Sequence, residues 1–453
     1  MENSLFFLQK ISQNTINPII VVVIITLKIV FEILLKILNY EFIKNKNLVT
    51  ISTFCFQLDL RLQYICNFPV QFMAIKQKTV SLVSKPSLPS YDSSLEYIRF
   101  YNSLWLVFND ILLAVLIRPY LIYFKDIITN FLKEQIIDTL LYKDILMLLR
   151  WLMDNPAGFK LNYELSNFLG GLYIWAIQFW YQEFILKLFD LKMLRLFFAT
   201  IINLGKIGGM TFTISFLLDF INIICFHIYS FNFSSTRIYN WQLNIIKSLF
   251  KLFYGKKYNI LRNRIDSNNY DFDQLLLGII IFTVLIYLLP TVVAFYVSFF
   301  ALKVAIFLLV DLLQCTMLII NHFPIFLVLL KLKNSKRLPA GITFDIIDNH
   351  NTTTIIKMTS KTISLEKLFH YFSELIISSN TSNVNIFEDF IFTKFLGGDL
   401  INNIEYEKIY QKFKRINLPP SEKRIGVKEL WDKLIDGYIR NDQNYDKSNK
   451  KIL

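Results

Sequence analysis

The sequence predicts an all-α polytopic membrane protein: a helical bundle with a transmembrane hairpin and a small mixed α/β cytosolic C-terminal region. The run Leu275–Leu302 has no charged residue, and Val304–Leu330 is almost as apolar. A helix rises about 1.5 Å per residue and the hydrocarbon core is about 30 Å thick, so either run is long enough to cross it. The composition agrees, because 54% hydrophobic residues with 43 Phe and only 13 Gly favour apolar helices over a Gly-rich barrel.

The two runs are separated only by Lys303, so we predict a turn there and a hairpin over residues 275–330. Both flanks of this hairpin are rich in Lys and Arg, and such flanks stay on the cytosolic side. Both ends are therefore expected to face the cytosol. The net charge of +13 is explained by this membrane face, and no nucleic-acid partner is expected.

The first predicted unit, residues 1–95, consists of a membrane-associated helix and a cytosolic linker. In the apolar stretch 19–38, Lys28, Glu32 and Lys36 recur every four residues and share one helical face. A membrane-surface helix and a bundle-facing span both fit this pattern. A removable signal peptide is not expected, because no basic segment precedes the stretch and no small-residue cleavage site follows it.

The second predicted unit, residues 96–336, is the membrane domain. Apolar pairs at helical spacing predict an amphipathic helix over 127–149 that lies on the membrane or on a partner. Gly208 and Gly209 interrupt a run that is too long for one crossing, which indicates a broken helix. Besides the hairpin, the domain contains predicted spans near 104–124 and 168–189 and the broken segment 193–231.

The third predicted unit, residues 337–453, is a cytosolic region. Alternating apolar residues predict a β-hairpin after Pro339, and an amphipathic helix is predicted over Ser364–Ile377. The rest is charged and Asn-rich, and it is expected to be a cytosolic tail. Lys450 and Lys451 match a dilysine retrieval signal of endoplasmic-reticulum membrane proteins.

Two groups of charged residues are candidate contact sites. Charge within apolar surroundings is costly and usually faces a partner, so one group is expected to pair with other helices or with other subunits. Its members are Lys206, Asp219, Lys303 and Asp311. The second group precedes the hairpin and either binds anionic lipid headgroups or only sets the topology. Its members are Lys256, Lys257, Arg262 and Arg264.

Asp271 and Asp273 form a D-x-D pair, which some glycosyltransferases use to hold a divalent metal on a nucleotide sugar. No alternation of strands and helices precedes the pair, as a nucleotide-binding domain would require. We therefore interpret Asp266, Asp271 and Asp273 as a cap at the start of an apolar helix, where the helix dipole favours carboxylates. The Cys and His residues show no metal-ligand spacing, so no metal or cofactor is expected.

Five blocks of the sequence resemble subunit Q of phosphatidylinositol N-acetylglucosaminyltransferase, the PIG-Q family. They are YIRFYNSLWLVFND, WLMDNPAGFKLN, GGMTFTISFLLD, LRNRIDSNNYDFDQLLLGIIIFTVLIYLLPT and RLPAGITF, all between about residues 95 and 345. The resemblance implies a non-catalytic assembly subunit of the endoplasmic-reticulum complex that transfers GlcNAc from UDP-GlcNAc to phosphatidylinositol, the first step of GPI-anchor synthesis. It also implies a separate catalytic glycosyltransferase subunit and small membrane subunits as partners.

Two other functions remain open. In the first, the chain is itself a membrane glycosyltransferase, and Asp271 and Asp273 hold a metal and a nucleotide sugar. A transporter would show internal repeats with broken helices in both halves. The sequence contains one broken segment and no repeat that we detect.

Overall fold

The computed structural model describes residue 23, residues 26–43, 46–84, 91–154, 156–259, 261–335, 338–350 and 353–377, and residue 410. This part of the chain is mostly helical, with three small antiparallel sheets of two strands each. The strands are β1 (Glu41–Ile43), β2 (Lys46–Asn47), β3 (Lys256–Asn259), β4 (Arg264–Ser267), β5 (Pro339–His350) and β6 (Thr353–Thr362).

The helices follow one another with short connections. In order they are α1 (26–38), α2 (Leu48–Ile51), α3 (Thr53–Ser84), α4 (Tyr91–Tyr123), α5 (Lys125–Phe131), α6 (Asp144–Met153), α7 (Tyr163–Trp180), α8 (Leu186–Leu188), α9 (Leu191–Gly208), α10 (Met210–Ile224), α11 (Phe226–Phe253), α12 (Phe272–His322), α13 (Ile325–Lys333) and α14 (Leu365–Ile377). Two π-helical stretches continue α5 into α6 and α7 into α8, over Leu132–Lys143 and Tyr181–Ile185.

The prediction of a linker after residue 39 is wrong. Helix α3 packs against α4 and α10, and the predicted boundary between residues 95 and 96 falls inside α4. The physical reason is that Gln57, Asp59 and Arg61 of α3 are buried among polar partners. A hydropathy pattern assigns such residues to the surface, although polar groups are buried when other groups in the protein hydrogen-bond to them.

The amphipathic helix predicted over 127–149 is confirmed, and the surface on which it lies is the chain itself. The continuous segment from α5 to α6 buries Ile137, Leu149 and Leu152 in the largest hydrophobic cluster. That cluster also contains Tyr173 of α7 and Phe299 of α12. The apolar face therefore packs inside the bundle.

Two helices of the described chain combine the length and hydropathy of a membrane span: Ile98–Tyr123 within α4, and α12. A third candidate is the pair α10–α11, bent by 53°, if the two are counted as one span. The span predicted near 104–124 is thus a span-like helix. The stretch 168–189 is helical, with the Asn162 side chain capping α7 by accepting a hydrogen bond from the Leu165 N–H at 2.9 Å, but its membrane crossing stays a prediction.

The break predicted within 193–231 is confirmed. Helix α9 ends at Gly208 and α10 begins at Met210, with Gly209 between them at φ +102°. This backbone conformation is one that residues with a Cβ rarely adopt. A second break, at Cys225, separates α10 from α11. The two glycines that interrupt the apolar run therefore mark a real helix end.

The hairpin predicted over 275–330 is wrong. Helix α12 runs without interruption through Lys303 to His322, a length of about 75 Å, and the chain bends only at Phe323 and Pro324. No turn forms because the Lys303 ammonium lies over the Tyr229 ring of α11, 3.8 Å from its centre. A cation on an aromatic face is stabilised without leaving the helix.

The antiparallel helix pair of this region is α11 and α12, joined by β3 and β4. The two helices pack extensively, and the Gln242 side chain of α11 donates a hydrogen bond to the Leu285 carbonyl of α12 at 2.8 Å. A single crossing by α12 places its two ends on opposite sides of a membrane. The expectation that both ends face the cytosol depended on the turn at Lys303 and loses that support.

The described C-terminal elements agree with the sequence. Strands β5 and β6 form the predicted hairpin. Helix α14 corresponds to the predicted amphipathic helix, and the Ser364 hydroxyl accepts a hydrogen bond from the Lys367 N–H at 3.2 Å. The predicted tail and its Lys450–Lys451 pair lie outside the described residues, apart from Tyr410.

Candidate functional sites

A cluster of buried polar side chains joins four helices and one residue of the C-terminal region. We call it the polar cluster; its members are Gln57, Arg61, Asp110, Thr211, Asn321, His322 and Tyr410, each at most 5% exposed. The Arg61 guanidinium forms an ion pair with Asp110. It also donates to the Thr211 hydroxyl at 3.2 Å and to the Asn321 side-chain oxygen at 3.1 Å. Arg61 therefore connects α3 with α4, α10 and α12.

Asp110 also caps the N-terminus of α10. Its carboxylate accepts hydrogen bonds from the Thr211 N–H at 2.9 Å and from the Thr211 hydroxyl at 2.7 Å. A carboxylate at this position satisfies N–H groups that have no partner within the helix and interacts favourably with the helix dipole. The approach needs a glycine at 209, because a Cβ there would lie 2.1 Å from a carboxylate oxygen of Asp110.

Tyr410 closes the polar cluster from the C-terminal region. Its hydroxyl lies 3.4 Å from the side-chain nitrogens of Gln57 and Asn321, which donate to it. Its ring meets the Phe56 ring edge-on at a centroid distance of 4.9 Å. Burial raises the pKa of Tyr410 to about 12, so the phenol keeps its proton. At least this residue of the C-terminal region packs against the helical bundle.

A second carboxylate, that of Asp219 in α10, is half-buried and caps the N-terminus of α3. It accepts hydrogen bonds from the Ser52 and Thr53 hydroxyls at 2.5 and 2.7 Å. The N–H groups of Thr53 and Phe54 donate to it at 2.9 and 3.1 Å. Asp110 of α4 thus caps α10, and Asp219 of α10 caps α3. The two carboxylates together connect α3, α4 and α10.

The four charged residues expected to pair with other helices or subunits have different surroundings. Asp219 and Lys303 have partners within the chain, at the start of α3 and on the Tyr229 ring. Lys206 is exposed in the last turn of α9, and Asp311 is half-buried on α12. Docking of other subunits through Lys206 and Asp311 stays a prediction.

The candidate lipid-contact residues Lys256, Lys257, Arg262 and Arg264 all lie, exposed, on the β3–β4 hairpin. The expectation that Asp266 belongs to a helix cap is wrong, since it is a residue of β4. Its carboxylate accepts hydrogen bonds from Arg264 at 2.7 Å and from the Asn259 side chain at 3.0 Å. The reason is that residues 264–267 pair with β3 before the chain reaches α12.

The other two aspartates of the predicted cap are at the start of α12. Asp271 occupies the N-cap position in extended backbone, without a side-chain capping bond, and Asp273 lies in the first turn. Both are placed where the helix dipole favours a negative charge. The described residues contain no group of three or more His, Cys, Asp or Glu side chains arranged to hold a metal.

The sequence did not predict that the members of the polar cluster lie together. A signal was present for Asp110 and Asn321, because both are polar residues within apolar runs. Arg61 offered no such signal, since it lies in a stretch of mixed polarity. The contacts join residues far apart in the chain, such as Gln57 and Asn321, whose side chains are 2.8 Å apart.

A family model described as the N-acetylglucosaminyl transferase component Gpi1 matches residues 55–340. The chain belongs to the Gpi1 family. The match begins within α3, so the family region extends further towards the N-terminus than the resemblance from residue 95. It includes the β3–β4 hairpin, α12 and every member of the polar cluster except Tyr410.

Individual relatives agree with this family. The chain is 36% identical over 415 residues to the phosphatidylinositol N-acetylglucosaminyltransferase subunit GPI1 of Saccharomyces cerevisiae, covering 88% of this chain and 66% of the relative. It is 34% identical over 432 residues to the N-acetylglucosaminyl-phosphatidylinositol biosynthetic protein gpi1 of Schizosaccharomyces pombe, covering 92% and 63%. Subunit Q of the Mus musculus transferase is 34% identical over 204 residues, which are 44% of this chain and 34% of that protein.

The chain therefore spans slightly less than two thirds of the length of these two yeast relatives. No solved structure matches it.

Proposed function

We propose that this chain is a non-catalytic accessory subunit of the complex that transfers GlcNAc from UDP-GlcNAc to phosphatidylinositol at the endoplasmic-reticulum membrane, in GPI-anchor biosynthesis. The observation that carries the proposal is the Gpi1 family match over residues 55–340. The proposed partners are a catalytic glycosyltransferase subunit, small membrane subunits and a membrane containing phosphatidylinositol. The long helices of the chain provide the membrane-embedded surface for this assembly.

The structure supports a structural role for the charged residues in the bundle. Asp110 and Asp219 each cap a helix, and Arg61 is the ion-pair partner of Asp110. A nucleotide sugar is usually bound at the carboxyl ends of strands in an open α/β sheet. The sheets of the described chain are two-stranded and antiparallel. These observations favour assembly over catalysis by this chain.

Purification in mild detergent tests the assembly role. A tagged full-length chain is expected to co-purify with a glycosyltransferase and with small membrane proteins, and the purified complex is expected to transfer GlcNAc to phosphatidylinositol. Recovery of the chain alone from membranes that contain an active transferase would contradict the proposal.

The D-x-D alternative is tested in the same preparation with Asp271→Asn and Asp273→Asn combined. We expect a lower yield of complex and unchanged sugar transfer per complex, because the two carboxylates stabilise the start of α12. Asp345→Asn, an exposed substitution on β5, is the control. Normal assembly with abolished transfer would instead assign the metal and nucleotide-sugar role to Asp271 and Asp273.

The topology of α12 is part of the proposal. Six Lys and Arg residues from Lys247 to Arg264 favour a cytosolic β3–β4 hairpin. Four basic residues after α12 favour a cytosolic C-terminal region in the same way, namely Lys331, Lys333, Lys336 and Arg337. These two placements are incompatible, because a helix that crosses the membrane once has its two ends on opposite sides.

Epitope tags in the β3–β4 and β5–β6 turns distinguish the two topologies in cells whose plasma membrane alone is permeabilised. We expect antibody to reach the β3–β4 tag only, since six basic residues precede α12 and four follow it. This expectation replaces that of a cytosolic C-terminal region, which access to the β5–β6 tag only would support. Access to both tags would mean that α12 does not cross the bilayer from end to end.

A further inference from the structure

The β3–β4 hairpin presents three apolar side chains to solvent. Leu261, in the turn, is 98% exposed, and Tyr258 and Ile265 are 48% and 51% exposed. Tyr258 and Ile265 are directly opposite each other in the antiparallel register, so they share one face of the hairpin. We call Leu261, Tyr258 and Ile265 the apolar tip of the hairpin, and exposed apolar surface of this kind favours an environment other than water.

Three cationic side chains lie on the same hairpin as the apolar tip: Lys256 and Lys257 in β3, and Arg262 in the turn. Lys257 is opposite Asp266 in the register, but the Asp266 carboxylate is bound by Arg264 and Asn259. Lys256, Lys257 and Arg262 are exposed and form no ion pair within the described part of the chain. The hairpin therefore has an excess positive charge next to its apolar side chains.

The position of the hairpin is set by the helices on either side. Only residues 268–271 separate β4 from the candidate span α12, and Gly255 and Tyr254 separate α11 from β3. Phe272 and Tyr254 are 76% and 66% exposed at this level. Aromatic residues at the end of a span are typical of the boundary between the hydrocarbon core and the headgroups. The tip is therefore within reach of a bilayer surface.

We propose that the β3–β4 hairpin binds the surface of an anionic lipid bilayer. Leu261, Tyr258 and Ile265 enter the interfacial region, and Lys256, Lys257 and Arg262 contact lipid phosphates. This proposal goes beyond membership of the complex, because it names a lipid contact of this chain. A protein partner would need complementary acidic groups, whereas a bilayer beside α12 supplies both phosphates and an apolar layer.

Photo-crosslinking of the full chain in lipid nanodiscs tests the contact. A photoreactive amino acid replaces Leu261, and a second preparation carries it in place of Phe344, which is 66% exposed on β5. Adducts are identified by mass in discs of phosphatidylcholine alone and of phosphatidylcholine with phosphatidylinositol. We expect lipid adducts at 261 that increase when phosphatidylinositol is present, and no such increase at 344.

A charge variant makes the test specific. The triple variant is expected to reduce the yield of the phosphatidylinositol-dependent adduct by about fivefold for each cation removed. It combines Lys256→Gln, Lys257→Gln and Arg262→Gln. Lys357→Gln with Lys361→Gln, two exposed lysines of β6, should leave the yield unchanged. Both variants are compared as monodisperse full-length protein.

Absence of lipid adducts at 261, or adducts that do not depend on phosphatidylinositol or on the three cations, would overturn the proposal. So would a crosslink from 261 to a protein subunit in the purified complex, because it would show that the tip is a protein interface. Co-purification of the subunits is scored separately, so failure of the lipid contact and failure of the proposed function are distinguishable.

Discussion

The two halves of α12 are both apolar and have different surroundings. Between Phe272 and Pro290 only Gly278 is buried, and large apolar side chains such as Ile280 and Tyr287 are more than half exposed. From Thr291 to His322 the helix passes through the bundle, and Phe295 and Phe299 are almost completely buried. We call residues 272–290 the outer half of α12 and residues 291–322 its packed half.

The difference shows what hydropathy leaves undetermined. Lipid tails are as apolar as Leu side chains, so a helix that faces lipid and a helix that faces other helices have the same hydrophobic signal. Side chains of the packed half form hydrogen bonds with other parts of the bundle, whereas the bond from Gln242 to the outer half goes to the Leu285 carbonyl. Thr291 accepts a bond from the Asn162 N–H at 3.0 Å, and Asn321 contacts Arg61 and Gln57. The outer half is available to lipid or to the helices of partner subunits.

The largest expected effect is at the ion pair that connects the packed half to α3 and α4. Asp110→Leu leaves the Arg61 guanidinium buried without its carboxylate and removes the cap of α10, so we expect a loss of about 3–5 kcal/mol in the free energy of unfolding. Thermal unfolding of the detergent-solubilised chain measures this loss. The double variant Arg61→Met with Asp110→Leu should lose less than Asp110→Leu alone. Equal losses would show that the unpaired charge is not the cause.

A matched pair of truncations compares the two halves directly. Phe299→Ala creates a cavity in the largest hydrophobic cluster and is expected to cost about 3–5 kcal/mol. Ile280→Ala removes a side chain that is 53% exposed, so detergent or lipid fills the space and the loss should be well under half as large. Unfolding midpoints in the same detergent provide the comparison. Similar losses at both positions would mean that the outer half is packed in the isolated chain.

A pair of glycine substitutions tests the close approach at the start of α10. Gly209→Ala introduces a Cβ at a positive φ and against the Asp110 carboxylate, so we expect a loss of roughly 1–3 kcal/mol. Gly171→Ala is the control, because no atom lies within 4 Å of its added Cβ and alanine favours a helix interior. Its effect on the unfolding midpoint should be neutral or stabilising. A neutral Gly209→Ala would show that Asp110 does not need this approach.

The smallest effect is expected at Tyr410. Tyr410→Phe keeps the ring against Phe56 and removes the hydroxyl that Gln57 and Asn321 contact, which should cost about 1 kcal/mol. Limited proteolysis, followed at the C-terminal region, should be faster in the variant. Tyr163→Phe, at a side chain that is 70% exposed, serves as the control. Unchanged proteolysis and stability would mean that the hydroxyl does not hold the C-terminal region.

The raised pKa of Tyr410 adds a dependence on pH to this prediction. Between its usual pKa of 10.0 and about 12 the unfolded chain loses the phenolic proton and the folded chain keeps it, so stability falls as the pH rises through this window. Tyr410→Phe should remove that part of the alkaline loss. The stability advantage of wild type over the variant is therefore expected to shrink as the pH rises above 10 and to change sign before pH 12.

Local sequence patterns determined several features of this protein. Apolar runs of sufficient length identified span-like helices, the glycines at 208 and 209 marked a helix break, and alternation after Pro339 indicated β5. The motif blocks identified the family, and Asp271 was placed at the start of an apolar helix. Each of these features depends on residues that are neighbours in the chain, so its signal is present in the sequence.

Only the tertiary structure decided the role of α3, the continuity of α12 and the composition of the polar cluster. Arg61 is a core residue because Asp110 and Asn321 reach it from distant helices, and Lys303 stays inside a helix because Tyr229 of another helix covers it. The cost of burying a polar or charged group depends on the partner it finds. That partner is often far away in the chain, as Asp219 is from Ser52. A pattern of neighbouring residues therefore cannot predict which distant residue a polar side chain contacts.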